Sequence, residues 1–286
     1  MSTEPSSAFV TGAGSGLGHD LALGLANRGY RVFGTAVAYD EVRDMSAESG
    51  GAVNLTVTDI RDQRAVRALA GDVADATKGR LDLLVSNAGI LTPGPLELLD
   101  VNAIRNEFDV NVFGVLTVVQ AFLPALRASQ GRIVQISTVS VDLPLPFNGP
   151  SSASKAAAET LLRSYRAELA ASGVDVIIAV PGSMRTGGPA KTAAALDALA
   201  ESMSTEQRRL YGDAFTNFSQ RLNAGQSAGM SSSEAASEII DLAVDPKAPP
   251  RLPIGDEARG LIASIESLTP NELDEKLAAF AAPAPQ

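Results

Sequence analysis

The chain has 286 residues, of which 45% are hydrophobic and 20% are charged, a composition typical of a soluble globular domain with a sizeable core. Its net charge of −10 disfavours nonspecific binding to nucleic acids or to anionic membranes. The lack of cysteine excludes disulfides, thiolate catalysis and cysteine–metal sites, and the single histidine, His19, excludes a histidine metal cluster.

The sequence predicts neither a signal peptide nor a membrane-spanning segment. The first ten residues lack the basic start and the long apolar stretch of a signal peptide. The longest mostly apolar stretch, Val112 to Leu126, is too short to span a bilayer and contains Gln120 and Pro124. We therefore expect a cytoplasmic protein.

Short apolar runs alternate with longer helical patterns, which predicts a parallel sheet covered by helices on both faces. The predicted strands are Ala8–Val10, Arg31–Gly34, Ala52–Leu55, Leu81–Val85, Arg132–Ile136, Val174–Val180 and Arg251–Ile254. The predicted helices cover Leu17–Arg28, Asn102–Ala128 and Ser154–Ala171. No linker rich in proline, glycine or serine divides the chain. We expect one doubly wound α/β domain of the Rossmann type over 1–286, with 281–286 as a disordered tail.

A glycine-rich segment follows the first predicted strand and precedes the first predicted helix. It reads TGAGSGLG from Thr11 to Gly18. Glycines let the chain turn sharply and bring its amides close to a pyrophosphate, and the start of a helix adds unpaired N–H groups and a favourable dipole. The position of this segment therefore predicts a phosphate cradle for a dinucleotide.

Together with four later motifs, the cradle resembles the signature of the short-chain dehydrogenase/reductase family. The motifs are Asp59-Ile60 after the third strand, Ser86-Asn87-Ala88-Gly89 after the fourth, Asn111 within DVNV, and PGSMRT from Pro181 to Thr186 after the sixth. The resemblance implies an oxidoreductase that uses NADP or NAD. The cofactor-binding residues that it implies are Gly12, Ser15, Gly16, Leu17, Gly18, Ala36, Asp59, Ile60, Asn87, Ala88, Gly89, Lys155, Pro181, Gly182 and Thr186.

The end of the second strand distinguishes NAD from NADP in such folds, because an acid there binds the adenosine ribose hydroxyls. Ala36 occupies this position, and Val37 stands where NADP-dependent relatives have an arginine. Ser15 could offer a hydroxyl, and Asp40 is either a displaced ribose ligand or a solvated loop acid. Because Ala36 does not repel a 2′-phosphate, the sequence slightly favours NADP.

The family's chemistry uses a serine, a tyrosine and a lysine, with the tyrosine one helical turn before the lysine. Lys155 fits the lysine, but Ser151 stands at the tyrosine position. Thr138 stands at the serine position, with Ser137 as the neighbouring alternative. With Asn111, the resemblance implies a modified tetrad of Asn111, Thr138, Ser151 and Lys155.

The serine at position 151 changes the expected chemistry, because its hydroxyl is a far weaker acid than a phenol with a pKa of about 10. A positioned acid–base group contributes roughly 10²–10⁴-fold to a rate, so carbonyl reduction should be slow without being abolished. Three sources could supply the proton. They are a water held by Ser151 and Lys155, the side chain of Tyr211, and a substrate group acidic enough to need little help. Two alternatives from other classes are a cofactor-binding sensor or scaffold with little redox turnover and a non-redox enzyme on the same fold.

Apolar residues recur at helical spacing beyond the sixth strand. The family places a mobile lid over the substrate here, so 186–230 is the predicted lid, although core packing would produce the same stripe. The predicted substrate contacts are Leu145, Phe147, Tyr211 and Phe215. They indicate a lipophilic or aromatic substrate, and the family's helix pairing implies a homodimer or homotetramer.

Overall fold

The computed structural model of the protein describes residues 5–185 and 188–281. Within these residues the strands are β1 (Ser7–Val10), β2 (Arg31–Ala36), β3 (Val53–Val57), β4 (Leu83–Ser86), β5 (Arg132–Ile136), β6 (Asp175–Pro181), β7 (Met184–Arg185), β8 (Met230–Ser231) and β9 (Arg251–Ile254). Every residue of β1 and of β4 is buried, because both faces of a parallel sheet are covered by helices.

Seven strands form one parallel sheet in the order β3-β2-β1-β4-β5-β6-β9. The chain builds outward from β1 to β3, returns to the other side of β1 with β4, and continues to β9. This reversal places a crevice at the carboxyl ends of β1 and β4, where doubly wound sheets bind ligands. The seven predicted strands and the doubly wound fold are confirmed, with strand ends that differ by at most two residues.

Helices cover both faces of the sheet. The helices within the described residues are α1 (Gly16–Asn27), α2 (Tyr39–Glu48), α3 (Gln63–Ala76), α4 (Val101–Phe108), α5 (Val115–Ser129), α6 (Gly149–Leu169), α7 (Gly188–Ser202), α8 (Thr205–Gln207), α9 (Asp213–Ala228), α10 (Ser232–Val244), α11 (Asp256–Glu266) and α12 (Pro270–Ala281). On one face α1 and α10 bury Leu21 and Ile240, and on the other α5 and α6 bury Phe122 and Leu162. Residues 282–286 of the predicted tail lie outside the described residues, and Ala281 still belongs to α12.

The predicted helix Asn102–Ala128 is a longer composite run from Val101 to Ser129. A π-helical segment, Asp109–Gly114, connects α4 to α5 within it. By length and composition this run could cross a membrane, whereas the apolar stretch from Val112 to Leu126 alone is too short. However, 61% of the most apolar window of the run is buried inside the fold. Its packing is that of a core helix.

Two helices show where sequence patterns were insufficient. The predicted helix Ser154–Ala171 lies in α6 as far as Leu169 and ends in a 3₁₀ turn. α6 already begins at Gly149 with Pro150 in its first turn, a position that tolerates proline. The preceding serines hide this start because they carry no apolar pattern. α2 was not predicted, since Met45 is its one buried residue and leaves no apolar stripe.

Candidate active site

Hydroxyl groups hold the glycine-rich loop from both sides. The Thr11 hydroxyl accepts hydrogen bonds from the backbone N–H groups of Asn87 and Ala88, each at 2.9 Å. The Thr35 hydroxyl accepts one from the Gly12 N–H at 2.9 Å. The Asn87 side-chain amide donates to the Thr11 carbonyl at 3.0 Å. The loop is therefore tied to β2 and to the segment after β4 at the crevice predicted from topology.

Glycine is required at several positions of this loop. Gly12 has a φ of +63° and Gly16 a φ of +54°, a region that other residues rarely adopt. A Cβ atom on Gly18 would lie 2.1 Å from the Gly12 carbonyl oxygen and 2.5 Å from Asn87 Nδ2. The first turn of α1 therefore packs on bare backbone and offers unpaired N–H groups to an anion. The loop fits the pyrophosphate of a dinucleotide.

Gly18→Ala is expected to weaken dinucleotide binding by at least about tenfold, because the added methyl group would push the Gly12 carbonyl and the Asn87 amide apart. Gly71→Ala is the matched control, since a Cβ there would meet no atom within 4 Å. In the exposed face of α3 it should stabilise the fold by about 1 kcal/mol and leave binding unchanged. Cofactor-fluorescence titration and urea unfolding measure both effects, and unchanged affinity in Gly18→Ala would contradict the assignment.

The other predicted residues of the adenosine end lie along the same edge of the sheet. Ser15 is exposed at the N-cap of α1, and Leu17 is buried in the first turn. Ala36 is buried as the last residue of β2.

Asp59 and Ile60 follow β3 but have different surroundings. Arg61 Nε donates to both carboxylate oxygens of Asp59 at 3.0 Å, and this hydrogen bonding holds the pKa of Asp59 below its usual value. Arg61 also donates to Asn106 Oδ1 at 2.5 Å, which links the pair to α4. Ile60 is buried in the core, where its Cδ1 would lie 2.8 Å from a Cβ on Gly114.

The segment after β6 is anchored to α11. Pro181 ends β6 and is buried, and Gly182 follows it. The Ser183 N–H and hydroxyl donate to the Glu257 carboxylate at 3.2 Å and 3.0 Å. Thr186, the predicted contact of the nicotinamide amide, lies outside the described residues.

Asn111 is buried in the π-helical segment, a distortion often found at functional sites. Its Oδ1 accepts from the Ile90 N–H at 2.9 Å, and its Nδ2 donates to the Ile90 carbonyl at 2.8 Å. Nδ2 also lies 3.0 Å from Ser154 Oγ on α6, to which it donates. The Asn111 side chain therefore joins the loop after β4 to the helix that carries Ser151 and Lys155.

The Lys155 side chain reaches from α6 to the carboxyl end of β5. Its Nζ donates to the Ile136 carbonyl at 3.0 Å. A Cβ on Gly89 would lie 3.2 Å from Nζ and 3.1 Å from Asn111 Oδ1, so all three groups meet after β4. Burial lowers the pKa of Lys155 to about 8, although Glu107 and a second carboxylate oppose the shift. The Lys155 ammonium group is thus a stronger acid than the ammonium group of an ordinary lysine.

The two candidates for the orienting hydroxyl have different partners. The Ser137 hydroxyl donates to the buried carboxylate of Glu159. The Thr138 hydroxyl, at the start of a 3₁₀ turn, lies 2.8 Å from the Ser140 hydroxyl. The occupied hydroxyl of Ser137 favours Thr138, and Ser140 adds a second hydroxyl that sequence reasoning missed.

Ser151 lies one turn before Lys155 on α6 and is 9% exposed. Its carbonyl accepts a hydrogen bond from Ser154 Oγ at 3.1 Å. Its own hydroxyl makes no hydrogen bond to any residue that the structure describes, which leaves it available to a water or a substrate.

A buried carboxyl group adjoins the tetrad and was missed in the sequence. Glu107 of α4 is fully buried, and its Oε1 lies 3.3 Å from Asn111 Nδ2 and 3.4 Å from Ser154 Oγ. Burial raises the pKa of Glu107, while hydrogen bonding from Thr92 and, to a smaller extent, from Ser154 opposes the rise. The available signal was its position four residues before Asn111, which places both side chains on one helical face.

The predicted lid and pocket loop pack together in one apolar group, here called the lid cluster. It comprises buried Leu196, Met203, Phe215 and Phe218 and half-buried Leu98, Leu145, Phe147, Leu199, Ala200, Tyr211 and Leu222. The Phe147 ring lies 5.6 Å from Phe215 and 5.6 Å from Phe218, between centroids. The Tyr211 hydroxyl donates to Glu97, and this hydrogen bond raises its pKa, which disfavours Tyr211 as the proton source.

Comparison with known proteins shows the family of the chain. A family profile described as short chain dehydrogenase matches residues 6–197, a span that contains the glycine-rich loop and the four tetrad positions. The chain belongs to the short-chain dehydrogenase family. It is 31% identical to 3-amino-tetrahydro-pyrrolizinone reductase from Xenorhabdus hominickii over 272 residues, which cover 94% of this chain and 93% of that protein.

Two further members of the short-chain dehydrogenase family are similar to the chain. It is 31% identical to mouse 17-beta-hydroxysteroid dehydrogenase type 1, with coverage of 78% of this chain and 67% of that protein. A crystal structure of a short chain dehydrogenase from Burkholderia cenocepacia J2315 in complex with NADP matches with a TM-score of 0.73 and 26% identity, covering 97% of this chain and 99% of that one. The protein is an oxidoreductase of this family.

Proposed function

We propose that this short-chain dehydrogenase transfers a hydride between a nicotinamide dinucleotide and a lipophilic ketone or its alcohol. The observation that carries the proposal is the junction of cradle and tetrad after β4. There the Asn87 amide closes the glycine-rich loop, and two residues later Gly89 adjoins both Asn111 and Lys155. The dinucleotide, when bound, supplies or accepts the hydride.

In the proposed reduction, the residues of the modified tetrad place and protonate the substrate oxygen. The Thr138 hydroxyl orients the carbonyl group. A water held by the Ser151 hydroxyl carries a proton from the Lys155 ammonium group to the oxygen as the hydride reaches the carbonyl carbon, and neutral Lys155 then regains its proton from solvent. A lysine with a pKa of about 8 suits this role, because a general acid works best near the operating pH.

The lid cluster supports a lipophilic substrate. Half-buried Phe147, from the loop after β5, and half-buried Tyr211 leave part of this apolar cluster accessible, whereas the predicted contact Phe215 of α9 is buried within it. By its name, the mouse relative acts on a hydroxysteroid, a large apolar alcohol. We therefore infer that an extended apolar ketone fits this protein better than a sugar or a charged acid does.

Exposed apolar residues support the predicted homo-oligomer. Phe113, in the π-helical segment, is 58% exposed, and Leu161 lies exposed on α6. Both belong to the helices that the family resemblance assigns to subunit pairing. The homodimer or homotetramer, like the cytoplasmic location, stays a prediction. The slight sequence preference for NADP also stays a prediction.

Single-turnover kinetics test the proposed function. The protein is saturated with NADH or NADPH and mixed with a steroid-type ketone or with a ketose sugar, and the loss of cofactor fluorescence is followed. We expect slow oxidation of the cofactor with the steroid-type ketone only, reduced about 10–100-fold further by Thr138→Val, which removes the hydroxyl but keeps the shape. Tight cofactor binding without oxidation by either substrate would instead favour a cofactor-binding protein with little turnover.

A further inference from the structure

An acid outside the family motifs lies against the glycine-rich loop. Glu41, in the first turn of α2, turns back so that its Oε2 accepts a hydrogen bond from the Val37 N–H at 3.0 Å. A Cβ on Gly14 would lie 2.2 Å from the same oxygen, so the carboxylate rests on the bare backbone of Gly14. It thereby bridges the end of β2 and the glycine-rich loop.

This bridge occupies the corner of a doubly wound sheet that receives the adenosine ribose. In such folds an acid near the end of β2, about 20 residues beyond the glycine-rich loop, hydrogen-bonds the ribose hydroxyl. Ala36 stands at that strand position and offers no polar side chain. Glu41 brings a carboxylate to the same corner from α2 instead.

Glu41 forms no ion pair with any residue that the structure describes. Val37, which donates to its carboxylate, is uncharged and 79% exposed, and Asp40, which precedes Glu41 in the chain, is itself acidic. A bound 2′-phosphate is normally paired with arginine or lysine, and this corner offers it a negative charge instead.

The neighbouring acid is used differently. Asp40 is exposed, and its Oδ1 accepts a hydrogen bond from the Glu41 N–H at 3.0 Å. The Asp40 side chain therefore forms its hydrogen bond within the first turn of α2 and not with the glycine-rich loop. This argues against Asp40 as the displaced ribose ligand that was considered from the sequence.

We propose that Glu41 binds the hydroxyls of the adenosine ribose and repels the 2′-phosphate, so that the protein selects NAD over NADP. The inference rests on the proposed function, because it requires a dinucleotide in this cleft. It reverses the preference for NADP that was expected from Ala36, because Glu41, on the helix that follows β2, supplies the acid that the strand end lacks.

Parallel fluorescence titrations of NADH and NADPH into the full chain test the inference. The native protein should bind NADH at least about tenfold more tightly than NADPH, and Glu41→Gln should raise NADPH affinity by about 10–100-fold. NADH affinity should fall, by less than NADPH affinity rises, because the amide keeps one oxygen acceptor but loses the charge that strengthens a hydrogen bond to the ribose. Asp40→Asn removes the same charge one residue away and should leave the ratio of the two affinities unchanged, with circular dichroism confirming that each variant is folded.

The other outcomes separate the two proposals. Equal shifts in Glu41→Gln and Asp40→Asn would overturn the specific role of Glu41, since net charge alone would then explain both. A native protein that prefers NADPH would also overturn it while leaving the proposed function intact. Binding of neither cofactor by the folded native protein would overturn the proposed function itself and this inference with it.

Discussion

Replacing Ser151 by tyrosine is expected to raise the rate of hydride transfer to a ketone by about 10²–10⁴-fold. A phenol is a much stronger acid than a serine hydroxyl, and its ring extends farther into the cleft. The new side chain would lie one turn before Lys155 on the same face of α6, where the ammonium group lowers the phenol pKa. Single-turnover oxidation of bound NADH by a steroid-type ketone measures the effect.

Ser151→Phe is the matched control, because it adds the ring without the hydroxyl. An equal gain in both variants would show that packing, and not acid strength, limits the native protein. No gain in Ser151→Tyr would show that position 151 does not face the reacting carbonyl. Ser151→Ala adds the complementary test, since the water relay proposed above requires it to lose the native activity.

Lys155→Met is expected to abolish hydride transfer and yet raise the free energy of unfolding at pH 7 by up to about 3 kcal/mol. Burial lowers the pKa of Lys155 from 10.5 to about 8, and each unit of difference between the folded and unfolded states corresponds to about 1.4 kcal/mol. Methionine keeps the length of the side chain without a charge to desolvate. This result would mean that the native protein keeps a destabilising ammonium group in the proposed active site.

The stability gain should depend on pH in a defined direction. Below pH 8 Lys155 is protonated in both the folded and the unfolded chain, so the full cost is present. Between pH 8 and 10.5 the unfolded chain binds more protons, so native stability rises with pH and the advantage of Lys155→Met shrinks.

Urea unfolding of both proteins at about pH 7 and about pH 10 measures this dependence, which is set by the folded and unfolded pKa values. Lys247→Met, at an exposed lysine, is the control for the loss of a positive charge. A Lys155→Met variant that is less stable than the native protein at pH 7, or a difference that does not change with pH, would contradict the destabilising burial of this lysine.

Local sequence patterns predicted part of the candidate active site. The register from Ser151 to Lys155 could be predicted because helical geometry alone places residues four apart on one face. The family resemblance assigned the orienting hydroxyl to Thr138 and left Ser137 as the alternative, since both follow β5. The structure adds a contact that favours Thr138, because Glu159 approaches from α6 and accepts the Ser137 hydroxyl.

Sequence by itself determined the doubly wound fold, the seven strands of its main sheet and the glycine-rich loop, because apolar periodicity and glycine spacing are local properties of the chain. Only the tertiary structure revealed the carboxylates of Glu41 and Glu107 at opposite ends of the cleft. Each lies on a helix whose packing angle and starting point set the direction of the side chain. A polar contact of this kind depends on the separation of two elements in space, and that separation leaves no periodic trace in the sequence.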